Sequence, residues 1–202
     1  MGKIVDYNLT EELEHGVYVS CLVRDLCREL DIREEEAYNM RLAGLVHDIG
    51  KLRLANYIYG RQKITSPLVI EEMKYVRMHS MLSYEILKGQ GFPADVQEMV
   101  RCHHENYDGS GYPDNLMGEE IPLGARIIRV CDVFAALTAD RPYRKRFSAL
   151  EAMSLMIDEI NHFDMGIFLA FQNVVHSVGS SYQVHFPEND SNSLLKELLK
   201  EN

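Results

Sequence analysis

Eight side chains suited to holding divalent metals are spread along this chain: Glu11, His15, His47, Asp48, His79, His103, His104 and Asp132. Imidazole and carboxylate without thiolate suit iron, manganese, zinc or cobalt better than a structural cysteine–zinc site. Glu11 and His15 are four apart and share one helix face. Adjacent residues on a helix diverge by about 100°. His47 and Asp48 could therefore serve neighbouring metals, or the carboxylate could bridge them. Lys51 falls on the same side if the helix continues that far. A single His-Asp or His-His pair carries little weight, because a lone histidine on an amphipathic helix is more often packed or solvated. The full set, placed on five expected helices or their ends, points to metal-assisted chemistry.

Basic residues add a second feature. Arg141, Arg144, Lys145 and Arg146 cluster just after the expected helix of Asp132. A charge run is usually a solvated turn. Here it begins nine residues beyond a candidate ligand, and arginine forks match phosphate geometry, so a phosphate-binding reading is favoured. Cys102 and Cys131 each precede a candidate ligand by one residue, point elsewhere on the helix and are assigned to the core. His162, His176 and His185 fit no pattern.

The elements that must position these groups are helical. Apolar residues Leu13, Val17, Leu22, Leu26 and Leu30 recur at helical spacing over Thr10 to Leu30. Asp31 with Glu34 reads as a capping box opening a second helix that stops near Gly50. Lys51 to Thr65 reads as irregular, and Ser66-Pro67 as a new start leading to a helix that ends at Gly89 and Gly91. Further helices are expected from Pro93 to His104, Pro122 to Ala139, Ser148 to Ile160 and Asp164 to Val178. A breaker-rich loop spans Glu105 to Pro122. Strand signals are few, such as Tyr182 to Phe186. The expected fold class is all-α, a helical bundle with a metal centre in its core. Residues 1–178 form the domain. Residues 179–202 read as a linker and a short amphipathic helix, which docks on its own domain rather than forming an oligomer contact.

Composition bounds the function. The 202 residues suit one domain with a tail, and 46% apolar content supports a sizeable core. Thirty-one acids against 21 bases give a net charge of −10. That balance excludes a nucleic-acid coat and an anionic-membrane binder, both of which need basic surface. Four cysteines, Cys21, Cys27, Cys102 and Cys131, form no C-x-x-C pair and read as reduced thiols. The acidic N-terminus resembles no signal peptide and no apolar run spans a membrane, so a cytoplasmic location is expected.

Two segments resemble a known family. His47-Asp48-Ile49-Gly50-Lys51 resembles the HDxGK signature of the HD phosphohydrolase superfamily. The segment from His103 to Pro113, HHENYDGSGYP, is similar at every specified position to the HHExxDGxGYP signature of its HD-GYP branch. Ile121-Pro122, Ala125 to Ile128, Asp132 to Phe134 and Arg141 to Arg144 continue the pattern, and the resemblance runs over about residues 11–171.

The resemblance implies an all-α domain binding two or three divalent metal ions, iron or manganese, and hydrolysing the bacterial messenger cyclic di-GMP. By motif position it implies metal ligands at His15, His47, Asp48, His79, His103, His104 and Asp132, with Asp48 as the bridge. Glu11 matches the extra ligand of three-metal members. Lys51 matches a lysine near the bridging hydroxide, and Arg141 and Arg144, with Lys145 beside them, match substrate-phosphate contacts. Leu54-Ala55, Ser80, Ser83, Ala135 and Met165 depart from the family pattern without removing a ligand.

The chemistry would be attack on phosphorus by a metal-activated hydroxide, since two bridged metals lower the pKa of water strongly. It would yield linear pGpG and, with a third metal, GMP. Asp48 and Lys51 are the candidate catalytic residues. A cyclic dinucleotide is the expected substrate. A diguanylate cyclase, another signalling protein or a second copy of the chain are candidate partners. The alternatives are another nucleotide substrate, such as cyclic GMP-AMP, or a catalytically weak cyclic-dinucleotide receptor. Two or three divalent ions would add about +4 to +6 locally and reverse the sign of the site. The acidity of the chain is therefore compatible with an anionic substrate.

Overall fold

The computed structural model describes residues 9–54, 77–140 and 145–178, with side chains from Glu12 onward. Seven α-helices are delimited among the described residues: α1 Leu9–Glu29, α2 Glu34–Val46, α3 His79–Gly89, α4 Ala94–Arg101, α5 Leu123–Thr138, α6 Ala149–Asp158 and α7 Met165–Val178. Two short 3-10 turns, Gly118–Glu120 and Ile160–His162, complete them. No strand occurs among the described residues, and the fold is the expected all-α bundle.

Helix α5 is the axis of the bundle. It packs against α1, α2, α4, α6 and α7. Its sequence, LGARIIRVCDVFAALT, is apolar on nearly every side, the pattern of a helix surrounded by others. Ile127, Ile128, Val130, Cys131, Phe134 and Ala135 are fully buried there. Phe134 meets Phe171 of α7 edge to face, with ring centroids 5.1 Å apart. Leu22, Val23 and Leu26 of α1 and Met40 and Ala43 of α2 fill the same core. Cys102 and Cys131 are buried, as their positions beside the candidate ligands implied. Asp132 is the buried acid in this apolar helix, and only a compensating charge makes such burial tolerable.

The helix ends explain several differences from the sequence reading. Asp31 does not open α2. It adopts φ 53° and closes α1: the Ile32 N–H donates to the Cys27 carbonyl and the Asp31 N–H to that of Arg28, a Schellman motif. Arg33 takes the N-cap of α2, without a side-chain cap bond. At α6, Ser148 caps the helix and forms a capping box with Glu151. Helix α4 stops at Arg101, so His103 and His104 sit in the turn beyond it. Residues 51–54 are helical rather than irregular. The expected helix start at Ser66-Pro67, the alternating segment at Tyr182 to Phe186 and the tail at 179–202 lie outside the described residues.

Candidate metal centre

Five chain segments converge on one buried cluster. Helix α1 brings His15, the turn after α2 brings His47 and Asp48, and the first residue of α3 is His79. The turn after α4 brings His103 and His104, and α5 brings Asp132. His47, Asp48, His79, His103 and Asp132 are buried.

The close approach of the α2 turn to α3 depends on Gly50. A Cβ there would lie 2.3 Å from the His79 carbonyl oxygen and 2.5 Å from the Ser83 nitrogen, so no other residue fits without a backbone shift. The Gly50 N–H donates to Ser83 Oγ at 2.8 Å and ties the two segments together.

The side chains divide into two groups. His15, His47 and Asp132 form one, and Asp48, His79, His103 and His104 the other; within each, the candidate ligand atoms lie within 4.8 Å of one another. Asp48 joins the two. Its Oδ2 lies 3.2 Å from His47 Nε2. Its Oδ1 lies 3.1 Å from His79 Nε2 and 4.0 Å from His103 Nε2. Asp132 Oδ1 lies 2.9 Å from His15 Nε2 and 3.6 Å from His47 Nε2. His79 Nε2 is 3.3 Å from His103 Nε2 and 3.0 Å from His104 Nε2.

The cluster can bind metal ions, and several features fit that use. His47 Nδ1 bonds to the Gly44 carbonyl at 2.8 Å, and His103 Nδ1 to that of Val100 at 2.5 Å. A proton held on Nδ1 leaves the Nε2 lone pair aimed at the cluster. Among the described residues, His47 Nε2 and Asp48 Oδ1 are buried with no hydrogen-bond partner. A cation would satisfy both.

Electrostatics agree. Burial opposes charge on His47, but Asp48 and Asp132 outweigh it and push its pKa up to about 10. Against the same penalty, His47 and Lys51 hold Asp48 well below the usual carboxylate range, and His15 and His47 do so for Asp132. A divalent ion on these carboxylates would take over the compensation that protonated His47 supplies. Burial keeps His103 and His104 neutral, His104 down to about 3, so both are ready ligands.

Lys51 lies as its spacing implied, with Nζ 2.5 Å from Asp48 Oδ2. Burial works against its charge, but Asp48 and Glu12 raise its pKa. Its second acid is Glu12, at 3.2 Å, a residue sequence reasoning passed over although it stands three before His15. Glu11 lies on α1, but its side chain falls outside the described residues, as do Arg141 and Arg144. Lys145 is exposed beyond the end of α5.

The loop after His104 folds over the cluster. Tyr112 stacks on His104 with ring centroids 4.8 Å apart and planes at 27°. The buried Glu105 carboxylate accepts the Asp114 N–H at 2.7 Å and the Leu116 N–H at 3.2 Å, fixing the loop from beneath. Arg129, one turn before Asp132, donates from Nε to Asn106 Oδ1 at 3.1 Å. The sequence reading named neither Glu105 nor Arg129 as a site residue. Three-residue spacing from Asp132 was the available signal for Arg129.

The chain belongs to the HD domain family, whose model matches residues 1–167, and within it to the HD-GYP branch. It is 39% identical over 163 residues to a cyclic di-GMP phosphodiesterase of Pseudomonas aeruginosa, covering 80% of this chain and 38% of that protein. It is 37% identical over 163 residues to 3'3'-cGAMP-specific phosphodiesterase 1 of Vibrio cholerae, covering 80% of this chain and 37% of that protein. The chain thus spans under two-fifths of the length of these relatives. In fold it resembles Bd1817, an HDG"Y"P protein from Bdellovibrio bacteriovorus, with a TM-score of 0.63 and 20% identity over 84% of this chain and 54% of that one. No helix among the described residues is long and apolar enough to cross a membrane.

Proposed function

We propose that this chain is a metal-dependent phosphodiesterase that hydrolyses cyclic di-GMP to linear pGpG, and to GMP where a third ion is held. The observation that carries this reading is Asp48, whose two oxygens face two separate groups of candidate ligands. His15, His47 and Asp132 would hold one ion; His79, His103 and His104 would hold the other, with Asp48 shared. Iron or manganese suits these donors, and Glu11 is the candidate for a third ion. Bound divalent ions would lower the pKa of a water and offset charge on the phosphoryl oxygens.

The chain's own residues supply the rest. Backbone carbonyls aim His47 and His103, so the donors need no rearrangement. Lys51 keeps an ammonium beside Asp48, where it would offset charge developing on the phosphoryl oxygens. Arg141, Arg144 and Lys145 remain candidates for substrate phosphate. A second reading, 3'3'-cyclic GMP-AMP as substrate, is favoured by the Vibrio cholerae relative, whose match covers as much of this chain.

The test is protein loaded anaerobically with Fe(II) or Mn(II), given each cyclic dinucleotide, with products resolved by chromatography. Turnover of cyclic di-GMP to pGpG is expected. No turnover of either substrate at full metal occupancy overturns the proposal. Asp48→Ala should lower metal content and reduce turnover more than about 100-fold; retained activity refutes the assigned bridge.

A further inference from the structure

A cyclic dinucleotide carries two phosphodiester anions, and the metal centre addresses only the one being cleaved. The other must be held by a cation, in a chain whose net charge is −10. Besides Lys51, which Asp48 and Glu12 already hold, the described residues offer Arg129 near the cluster. Arg129 stands three residues before Asp132 on α5, so its side chain lies along the same helix face. Its Nε is committed to Asn106 Oδ1 at 3.1 Å. Asn106 is itself buried, donates from Nδ2 to Ser110 Oγ at 2.9 Å and lies two residues beyond His104.

That anchor fixes the plane of the guanidinium. Among the described residues neither terminal nitrogen of Arg129 has a hydrogen-bond partner. A planar pair of donors, held in place and left over, is the geometry that takes a phosphate in bidentate fashion. A second guanidinium stands close by. Arg77, just before α3, lies with its central carbon 5.4 Å from the centroid of the Tyr112 ring that stacks on His104.

The geometry points to a second phosphate subsite at Arg129, rimmed by Tyr112 and Arg77, for the phosphodiester of a cyclic dinucleotide that is not under attack. This rests on the phosphodiesterase reading above. Arg129 touches substrate here and takes no part in bond cleavage. The bracing of Asn106 is the competing purpose for the same side chain, and it predicts equal losses on every substrate.

The experiment compares cyclic di-GMP and cyclic GMP-AMP with bis(p-nitrophenyl) phosphate, a diester with a single phosphate, on metal-loaded protein. Arg129→Ala should raise KM for the preferred cyclic dinucleotide about tenfold or more, with a smaller change in kcat. The loss of kcat/KM on the one-phosphate ester should be at least about fivefold smaller. Arg129→Lys, which keeps the charge and loses the fork, should recover part of the KM. Arg77→Ala should raise KM by a lesser factor. Metal content and melting temperature, measured on each variant, report any folding defect, and the lysine variant carries the test if the alanine variant unfolds. Equal losses on both substrate types, or an unmoved KM, overturn the subsite. Wild-type protein that turns over neither cyclic dinucleotide removes the phosphodiesterase reading and the subsite together. Wild-type turnover with unmoved variants removes the subsite alone.

Discussion

At the scale of the residue, two of the candidate ligand histidines are defined by which nitrogen they leave bare. His47 and His103 both spend Nδ1 on the carbonyl three residues back, so the backbone selects the tautomer. Asp48 then decides whether the two groups act as one. Asp48→Asn should lower metal occupancy in both groups together, whereas His104→Ala should cost one ion and leave the other; metal-to-protein ratios by plasma mass spectrometry distinguish the two. Loss of both ions from His104→Ala would refute the division into groups. The thiols give an independent check. Burial raises Cys27 to about 11, Cys102 to about 12 and Cys131 well above its ordinary value. Raised values keep sulfur protonated and unreactive. Folded protein at pH 8 should therefore titrate at most one thiol with Ellman's reagent, the half-buried Cys21, and four in guanidinium. The candidate ligands at His47, Asp48, His103 and His104 were legible in the sequence because their motifs are local. Glu105 and Arg129 were not, because their partners at Asp114, Leu116 and Asn106 meet them only once the loop has folded back.

At the scale of the element, the helices could be read from apolar spacing, and their ends could not. Asp31 and Glu34 have the residue types of a capping box, but the left-handed backbone at Asp31 ends α1 instead. Nothing in a four-residue pattern decides between the two; the burial of Ile32 against the core does. The same reasoning covers residues 51–54. They read as part of the irregular Lys51–Thr65 stretch, and the Lys51–Asp48 and Lys51–Glu12 ion pairs and buried Leu54 favour a helical turn. The crossing of the His47–Gly50 turn over α3 is the element-scale feature most open to test. Gly50→Ala places a methyl against backbone atoms of His79 and Ser83, which cannot swing aside. We expect a loss of about 1–3 kcal/mol in urea unfolding, and weaker metal binding because His79 moves away from Asp48. Unchanged stability and affinity would show that the crossing tolerates the added carbon.

At the scale of the whole molecule, stability, protons and metal are linked. In metal-free protein the half-buried His104 stays neutral down to about pH 3, while the unfolded chain takes up that proton below about 6.5. The unfolded state then binds more protons, so stability should fall as pH drops from about 6.5 toward 3. Chemical unfolding of metal-free protein across that window measures the slope, and a rise on acidification would refute it. Added Mn(II) should raise the melting temperature, since an ion that binds only the folded form stabilises it by mass action. Phe134→Ala, at the core of α5, should cost about 3–5 kcal/mol. The ligands also arrive in an order. His15 and Asp132 stand 117 residues apart and belong to one group, and α5 carries both Asp132 and the middle of the core. A chain emerging from the ribosome with its N-terminal side first therefore displays His15 and His47 long before the group that needs Asp132 is finished. The candidate group of His15, His47 and Asp132 can be complete only once synthesis has passed α5, whereas the last member of the other group, His104, is made before it.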